Sequence, residues 1–489
     1  MDNKKNLVLN AEYKIINDYD RIILIKIPSG DYSVSKVYFI HPIHAKFLSL
    51  FDGAVSCEYI IEYLKREHQV KDSDTVRLIK MFDRNDDMYI KFQKEIFFFP
   101  NNILVPNDNN IIRDDLSEEK CNCAIPYDFK RLRFSYPKEI TYVINLNCYT
   151  DCVYCYANRK CQYEPLRTDK ILDIIEEAKK IGIWEFNISG GEFFLQKDWE
   201  VILKTLIDNG FAPHISTKVP LSEKVIDRAK KIGLDSIQFS LDTLDDEVAQ
   251  RTLHVKGGYI GKITNSIKYA DKAGLDIIVK PTLSKETCTV ENVAALLDFA
   301  ASLKHIKRSV ISTIGQSLYI DENTYLKIRP TIAQIKTVLD YIDKEGDKYK
   351  FEIHPDSNVI YKEELCNNEH FRNRPRCTAN VDGFIILPDG KMTICEELYW
   401  HPDFILGDLT RQTILEAWHS DVAKNLWNFE RKRIPGYSAC RGCEELQECR
   451  QGQGVCWKFV IGAYGKEYAF QPDPRCSRAP VPTYNVTGD

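Results

Sequence analysis

The stretch Asn147-Cys148-Tyr149-Thr150-Asp151-Cys152-Val153-Tyr154-Cys155-Tyr156 contains three cysteines spaced C-x3-C-x2-C. It directly follows a predicted strand over 140–146, so it is a loop at the carboxyl end of a strand, where α/β folds place their chemistry. Three thiolates on one compact loop suit a cubane 4Fe–4S cluster and leave its fourth iron open to another ligand. A zinc site is the alternative, but zinc takes four ligands and no fourth is evident beside this loop.

A regular alternation of strands and helices surrounds this loop and defines a region over 138–350. Strands are predicted at 140–146, 184–188, 212–216, 236–240, 276–282 and 308–314, and amphipathic helices at 170–181, 198–208, 222–231, 259–273 and 290–303. Such alternation predicts an α/β fold with a parallel sheet and outer helices. Six units correspond to a partial (β/α)6 barrel, short of the eight that close a full one.

A second motif, Ser189-Gly190-Gly191-Glu192, ends the next predicted strand. Paired glycines let a backbone approach a ligand closely. The cysteine triplet, the aromatic Tyr154 before its third cysteine and this Gly-Gly-Glu turn together resemble the radical S-adenosylmethionine (SAM) superfamily. The resemblance implies that Cys148, Cys152 and Cys155 hold a 4Fe–4S cluster, that SAM binds its open iron, and that an electron then splits SAM to give a 5′-deoxyadenosyl radical.

The same resemblance implies seven residues in SAM binding. They are Tyr154 near the adenine; Gly190, Gly191 and Glu192 at the amino group; Ser216 and Ser240 at the ribose and carboxylate; and Arg251 at the carboxylate. A serine at a strand end is also a common turn or cap residue. For the two serines both interpretations therefore stay open.

Residues 351–489 lack the strand–helix alternation and are dense in cysteine, so they need metal staples to hold a fold. Their spacing resembles the SPASM domain of radical SAM enzymes that modify peptides, and the matching residues are Cys377, Gly390, Cys395, Cys440, Cys443, Cys449, Cys456 and Cys476. One departure is the gap of six residues rather than three between Cys449 and Cys456, which puts the role of Cys456 in doubt.

The SPASM resemblance implies two auxiliary 4Fe–4S clusters. The first is held by Cys377, Cys395 and Cys456, and the second by Cys440, Cys443, Cys449 and Cys476. Either Cys366 is a fourth ligand of the first cluster, or that cluster keeps an open iron for a substrate thiolate. Structural zinc bound by the same cysteines stays open as the alternative.

Residues 1–100 are predicted to form a small α+β unit. Alternating apolar residues on both sides of Ser29-Gly30-Asp31 indicate a hairpin, and three short helical patterns follow at His44–Phe51, Cys57–Leu64 and Thr75–Phe82. Residues 101–137 are rich in Asn, Asp and Pro, a composition typical of a linker. The pair Cys121 and Cys123 within this segment is interpreted as incidental rather than as a ligand pair.

This order of elements, with Phe39-Ile40-His41-Pro42 leading into Phe47–Gly53, resembles the winged-helix-like RiPP recognition element. RiPPs are ribosomally made and post-translationally modified peptides. The family captures a leader peptide as an added strand at a sheet edge. The resemblance implies a docking edge at Lys36–Ile40 facing the helix Thr75–Phe82. A plain α+β cap with no peptide role is the alternative.

Composition argues against several classes of function. The 489 residues are 44% hydrophobic and 28% charged with a net charge of −5, which gives no basic bias towards nucleic acid. No signal peptide and no apolar stretch of membrane-spanning length is evident. The 16 cysteines then favour metal binding in a reducing compartment over disulfides. We therefore expect a cytoplasmic protein with no membrane and no nucleic acid partner.

All three regions together resemble the radical SAM–SPASM peptide maturases. The resemblance implies an enzyme that modifies a precursor peptide with a leader, forms Cys thioether crosslinks of the sactipeptide or ranthipeptide kind, and uses an electron donor such as flavodoxin or ferredoxin. Carbon–carbon crosslinking, peptide epimerisation with Cys161 or Cys288 as the hydrogen donor, and an anaerobic sulfatase maturase are the enzyme alternatives. A metal-stabilised scaffold that binds peptides is the non-enzymatic alternative.

Overall fold

The computed structural model describes residues 6–26, 36–92, 95–122 and 132–487. The chain divides into two compact units, residues 1–135 and 136–489, and each contains its own hydrophobic core. The predicted turn Ser29-Gly30-Asp31 and Cys123 lie outside the described residues. In the part of the chain that is described, no helix has the length and apolar character needed to cross a membrane.

The N-terminal unit is an α+β fold. Strands β1–β7 span Leu7–Leu9, Tyr13–Asn17, Ile22–Lys26, Lys36–Ile40, Met88–Phe92, Glu95–Phe99 and Leu104–Pro106, and helices α1–α3 span Pro42–Ser49, Cys57–His68 and Asp72–Phe82. β2, β3 and β4 form an antiparallel sheet, β1 pairs with β7, and β5 forms a hairpin with β6. The three helices predicted from the sequence are confirmed, with their ends shifted by a few residues.

Local sequence explains where these helices begin. His41 caps α1 by accepting a hydrogen bond from the Ile43 amide, and Ser56 caps α2 by accepting one from the Tyr59 amide. The apolar faces of the helices point into one core, to which α2 contributes Ile60. Side-chain caps therefore set the start of α1 and α2, and apolar stripes set the buried face of all three helices.

The segment predicted as a linker is instead built into this unit. β7 pairs with β1, and the Arg113 side chain donates hydrogen bonds to the carbonyl oxygens of Leu9, Asn10 and Tyr13. Cys121 is buried in the same core. The polar composition of the segment therefore reflects side chains that bond to backbone groups rather than an unattached chain.

The second unit contains strands β8–β18 and helices α4–α16. The strands span Glu139–Val143, Glu185–Ser189, Ser216–Thr217, Ser236–Phe239, Asp276–Val279, Thr282–Leu283, Ile306–Thr313, Glu352–Asp356, Gly383–Ile386, Lys391–Thr393 and Ile405–Asp408. The helices span Thr168–Lys180, Trp199–Asp208, Glu223–Ile232, Asp246–Leu253, Tyr259–Lys272, Val290–Ala301, Glu322–Ile328, Ile332–Glu345, Asn368–Asn373, Ile414–Trp418, Asp421–Trp427, Leu446–Gln451 and Trp457–Tyr464.

Parallel pairing confirms the predicted α/β class. β8 pairs in parallel with β9, and β10, β11, β12 and β14 follow one another in a second parallel ladder. The six strands predicted from the alternation are all present, although the third is reduced to Ser216–Thr217. Helix α7 was not predicted, because its apolar stripe is short and a second helix follows it before the next strand.

The cysteine-rich segment is attached to the same sheet as the first predicted strand. β16 pairs in parallel with β8, and β17 and β18 extend this sheet with antiparallel pairing. Cys395 follows β17, whereas Cys148 follows β8. The segments that lead to these two cysteines therefore leave strands of one sheet.

Candidate active site

The cysteine loop, residues 148–155, is fixed by hydrogen bonds within the loop and to α7. The Cys155 amide donates to the Cys152 carbonyl oxygen at 3.1 Å, and the Thr150 hydroxyl lies 3.2 Å from the Cys152 sulfur. Two more amides of the loop donate to carbonyl oxygens in the last turn of α7. These bonds attach the loop to α7 and restrict its shape.

The three thiols of this loop form one electrostatic group. Burial, together with nearby Glu192, Cys155 and Cys152, raises the pKa of the Cys148 thiol to about 12, although Arg159 lowers it. Burial also raises the pKa of the Cys152 thiol. Free thiolates are thus disfavoured here, whereas binding to a cationic iron–sulfur core stabilises them. The donor set therefore fits such a cluster.

The geometry of the loop differs from a site for one metal ion. Among the described residues, no three His, Cys, Asp or Glu side chains converge on a point that would hold a single ion. A cubane cluster has another requirement, because each thiolate binds a separate iron. Three neighbouring thiols on one loop meet that requirement.

The Gly-Gly-Glu turn packs directly against the chain that leads into the cysteine loop. The Gly191 amide donates to the Asn145 carbonyl oxygen and the Glu192 amide donates to the Asn147 carbonyl oxygen, both at 2.7 Å. Gly190 has a φ of +114°, and a Cβ on Gly191 would overlap the Asn147 carbonyl oxygen. Glycine is therefore required at both positions by backbone geometry.

Glu192 has a buried carboxylate just after the carboxyl end of β9, and its exposed fraction is 4%. Its two oxygens accept hydrogen bonds of 2.8 Å from the Thr217 hydroxyl and the Lys218 amide. Burial raises its pKa to about 7, although these hydrogen bonds lower it. A carboxylate held in this way offers a negative charge to an ammonium group such as the one that SAM carries.

A buried ion pair that the sequence analysis did not select lies at the next two strand ends. Lys218 Nζ donates to Asp242 Oδ2 at 2.9 Å and to the Ser240 carbonyl oxygen at 3.2 Å. The Tyr154 hydroxyl also donates to Asp242 Oδ2, and the Thr282 amide donates to Asp242 Oδ1 at 2.9 Å. The available signal was position, because Lys218 and Asp242 both stand just after a predicted strand.

Ser216, Ser240 and Arg251 have different surroundings. Ser216 lies in β10, in register with Gln238 of β11, and the Ser240 hydroxyl accepts a hydrogen bond from the Gln238 side chain at 3.3 Å. Arg251 lies on α7, where its exposed guanidinium pairs with Glu286 at 2.9 Å. A contact between Arg251 and SAM would require this ion pair to break, so that contact stays a prediction.

Four cysteines of the C-terminal segment share one cavity. Cys440, Cys443, Cys449 and Cys476 line a cavity of about 290 Å³, the four-cysteine cavity. Burial raises the pKa of the Cys449 thiol to about 11; Arg450 lowers it, and the other three cysteines raise it. The four residues predicted to hold the second auxiliary cluster are therefore neighbours in the fold.

Cys377, Cys395 and Cys456 form another, half-buried group. Burial raises the pKa of the Cys456 thiol, and Cys377 contributes to the rise. Burial also raises the pKa of the Cys395 thiol, with a contribution from Cys456. Cys366 is exposed, with its sulfur 3.7 Å from a carbonyl oxygen of the C-terminal tail. Its role as a fourth ligand of this group stays a prediction.

Comparisons with known proteins identify the family. The radical SAM superfamily model matches residues 142–287, and the model of the SPASM iron–sulfur cluster-binding domain matches residues 377–444. A probable GTP 3′,8-cyclase of Methanococcus aeolicus is 30% identical over 227 residues, which cover 45% of this chain and 69% of that protein. The chain belongs to the radical SAM superfamily.

The names of two further similar proteins refer to peptides. This radical SAM protein is 28% identical over 327 residues to the PqqA peptide cyclase of Granulibacter bethesdensis, covering 64% of this chain and 81% of that protein. It shares the fold of Streptococcus suis SuiB bound to the precursor peptide SuiA, with a TM-score of 0.65 and 16% identity over 96% of this chain and 99% of that chain. It spans about half, 54%, of the probable GTP 3′,8-cyclase of Methanococcus maripaludis.

Family membership establishes the class of protein and its cofactors. A radical SAM protein with an iron–sulfur cluster-binding domain is an enzyme that uses SAM and 4Fe–4S clusters. The cysteine loop and the four-cysteine cavity provide thiols that fit iron–sulfur clusters, and the Gly-Gly-Glu turn provides a carboxylate that fits the amino group of SAM.

Proposed function

We propose that this radical SAM enzyme modifies a ribosomally made precursor peptide by joining a cysteine sulfur to a carbon of another residue. The observation that carries the SAM chemistry is a continuous network at the carboxyl ends of β9, β10 and β11, in which Glu192 bonds to Lys218, and Asp242 bonds to both Lys218 and Tyr154 of the cysteine loop. The peptide cyclase relative and the fold shared with peptide-bound SuiB support a peptide substrate.

The residues of the network have separate roles in this proposal. Cys148, Cys152 and Cys155 hold the 4Fe–4S cluster, which when bound supplies the electron that cleaves SAM to methionine and a 5′-deoxyadenosyl radical. Glu192 holds the SAM ammonium group with its buried carboxylate. Tyr154, fixed through its hydroxyl to Asp242, presents its ring to the adenine.

The N-terminal unit captures the leader of the precursor in this proposal. Among the described strands, β4 has a hydrogen-bonded neighbour, β3, on one side alone. An extended leader that adds to the other edge gains backbone hydrogen bonds, and side-chain pockets give it specificity. The Tyr38 ring of β4 lies 5.4 Å from the Phe98 ring of β6, so aromatic packing in the core holds β4 in place. Capture raises the effective concentration of the core peptide.

The two groups of C-terminal cysteines are assigned as ligands of auxiliary clusters. Joining sulfur to carbon removes two hydrogens from the peptide: one leaves as a hydrogen atom, and the other as a proton and an electron. In this proposal an auxiliary cluster would accept that electron, and a flavodoxin or ferredoxin would supply the electron that starts the reaction. Cytoplasmic, anaerobic operation follows from the oxygen sensitivity of such clusters.

The first experiment measures iron and sulfide content, 5′-deoxyadenosine formation and peptide mass under anaerobic conditions with dithionite and SAM. The substrate is a short cysteine-bearing peptide with its leader, sought among the reading frames that neighbour the gene for this chain, and the Cys148→Ala/Cys152→Ala/Cys155→Ala variant is the control. We expect about twelve irons in the wild type, about four fewer in the variant, deoxyadenosine from the wild type alone, and a peptide that has lost two hydrogens per crosslink.

The outcomes separate the alternatives. Zinc instead of iron, or iron without deoxyadenosine, would contradict SAM cleavage and favour a peptide-binding scaffold. Deoxyadenosine with an unchanged peptide mass but altered stereochemistry would identify an epimerase. Loss of two hydrogens with all cysteine thiols still reactive would identify a carbon–carbon crosslink. A precursor without its leader should be modified at least about tenfold more slowly, with SAM cleavage preserved, if the N-terminal unit captures the leader.

A further inference from the structure

Arg450 is a buried cation in the wall of the four-cysteine cavity. It follows Cys449 on α15 and has an exposed fraction of 6%. Its Nη2 donates to the Cys440 sulfur at 3.3 Å. Its guanidinium carbon lies 4.8 Å from the centre of the Trp457 ring and 5.2 Å from the centre of the Phe429 ring. The two rings hold the guanidinium in one orientation.

This guanidinium is incompletely satisfied. Its Nε and Nη1 are buried and have no hydrogen-bond partner in the described part of the protein. Its one hydrogen bond to a side chain goes to a sulfur rather than to a carboxylate. Burying a charge without a counter-charge costs free energy that a native structure normally recovers through a partner.

Three other buried or half-buried cations near the C-terminal cysteines have carboxylate partners. Arg475 donates to both oxygens of Asp473, at 2.8 and 3.0 Å, and Arg374 lies 3.7 Å from the same carboxylate. Lys458 lies 2.5 Å from Glu397. Arg450 is the exception within this set.

The remaining charges around the cavity do not supply the missing partner. Glu445 and Glu448 line it but are exposed, and Glu445 is 3.3 Å from the exposed Arg372. Asp473 is buried, but its oxygens are bonded to Arg475. Water screens the exposed charges, whereas the buried charge of Arg450 is screened much less. The cavity therefore favours an anionic occupant beside Arg450.

We infer that Arg450 raises the reduction potential of the iron–sulfur centre held by Cys440, Cys443, Cys449 and Cys476. The inference rests on the proposed function, which assigns these four thiolates to one cluster. A core held by four thiolates is anionic and gains a further negative charge on reduction. A fixed cation with an N–H bond to one ligand sulfur stabilises the reduced form more than the oxidised form, and such hydrogen bonds are a known determinant of cluster potential.

Arg450 acts through the Cys440 sulfur, so it is a positioning residue and its effect should be confined to one redox couple. Arg372 provides a matched control, because it lines the same cavity but is exposed and pairs with Glu445. Arg450→Met removes the charge and the hydrogen bond, whereas Arg450→Lys keeps the charge and loses the planar fork.

The test is a redox titration of the full-length, iron-loaded protein followed by electron paramagnetic resonance. The couple that disappears in Cys440→Ala/Cys443→Ala identifies the centre. We expect Arg450→Met to lower the equilibrium constant for one-electron reduction of this couple at least tenfold, which is about 59 mV, with the other couples unchanged. Arg450→Lys should give a smaller decrease, and Arg372→Gln none.

The outcomes distinguish this inference from the proposed function. A wild-type protein without iron would contradict the proposed function. An unchanged couple in iron-loaded Arg450→Met, an equal shift in all couples, or an equal shift in Arg372→Gln would overturn the inference alone. If Arg450→Met does not assemble the centre, Arg450→Lys decides: a lowered potential supports the inference and an unchanged potential overturns it.

Discussion

The cysteine loop at 148–155 and the four-cysteine cavity both gather thiols, but the protein holds them in different ways. The loop follows β8, packs on the Gly-Gly-Glu turn and receives backbone hydrogen bonds at several points. The cavity is built from α15, which spans six residues, and from a single-turn 3-10 helix at Ala439–Gly442. The first site takes its shape from a sheet, and the second has little regular structure of its own.

This difference indicates which site depends on its metal for structure. A loop attached to a parallel sheet is positioned by the folding of that sheet, so the cluster adds chemistry to a shape that already exists. Short helical turns bury too little apolar surface to be stable alone, and bound metal then contributes directly to folding. The two sites should therefore respond in opposite ways to backbone substitution and to metal removal.

The largest effect should come from damage to the preformed site. In Gly191→Ala, the new Cβ overlaps the Asn147 carbonyl oxygen and comes within 2.7 Å of the Asn145 side chain, so the turn must shift away from the cysteine loop. We expect deoxyadenosine formation to fall more than about 100-fold, since a displacement near 1 Å costs this much. Gly261→Ala is the control, because a Cβ there meets nothing within 4 Å.

The control also defines the contradictory result. Gly261 lies inside α8, where alanine should be neutral or stabilise the protein by about 0.4–1 kcal/mol. Gly191→Ala should keep its iron, since its cysteines are untouched. Wild-type rates of SAM cleavage in Gly191→Ala would show that the close packing of the turn on the loop is not needed for chemistry.

Metal removal should have the next largest effect, and on the other site. After anaerobic chelation of the clusters, we expect limited proteolysis to become at least about tenfold faster in residues 430–480, which corresponds to about 1.4 kcal/mol of local stability. Cleavage within β8–β14 should change little, because parallel strand pairing and fully buried residues such as Ile140 and Phe239 hold these strands without the four-cysteine cavity. Equal acceleration in both regions would mean that the barrel also depends on its cluster for folding.

Sequence reasoning reached the parts of the site that are defined by spacing and order. The cysteine triplet, the Gly-Gly-Glu turn and five of the six strands stand close to their predicted positions, because local patterns determine them. The linker prediction was less successful. Arg113 joins that segment to three carbonyl oxygens about one hundred residues away in sequence, and no local pattern reports such contacts.

Long-range partners also explain which site residues were missed. Asp242 and Lys218 were visible as strand ends, but their importance depends on a bond between two strands and on a bond to Tyr154, which is 88 residues from Asp242 in sequence. The opposite holds for Arg251, whose position after a strand suggested a ligand contact. Its partner in the fold, Glu286, is 35 residues away and was not predictable from spacing.

The pH dependence of SAM binding tests a buried carboxylate of the preformed site. The folded protein raises the pKa of Glu192 to about 7, so its negative charge is present above this pH and is lost as the pH falls. If this charge holds the SAM ammonium group, Kd should rise about tenfold for each pH unit below 7. Calorimetric titration of the cluster-loaded protein between pH 5.5 and 8.5 measures it.

Glu192→Gln is the control for this profile. It keeps an oxygen that can accept one of the two hydrogen bonds from Thr217 and Lys218 but has no titrating carboxyl group. We expect weaker binding with little pH dependence over the same range. A wild-type profile that is equally flat would separate Glu192 from the SAM ammonium group and leave it a structural role in joining two strand ends.

The smallest effect should come from Tyr154→Phe, which keeps the ring and removes the hydroxyl that bonds to Asp242. Asp242 Oδ2 retains its bond to Lys218 at 2.9 Å, so the substitution leaves no buried acceptor without a partner. The free energy lost is therefore about 1 kcal/mol, the usual contribution of one hydrogen bond. We expect the KM for SAM to rise about fivefold with little change in kcat, because the ring is less firmly placed. Tyr149→Phe is the matched control, since Tyr149 lies in the same loop with an exposed ring stacked on Tyr259. Equal KM values in the two variants would show that backbone bonds alone fix the cysteine loop. The bond from Tyr154 to the Lys218–Asp242 ion pair would then not be needed to shape the preformed site.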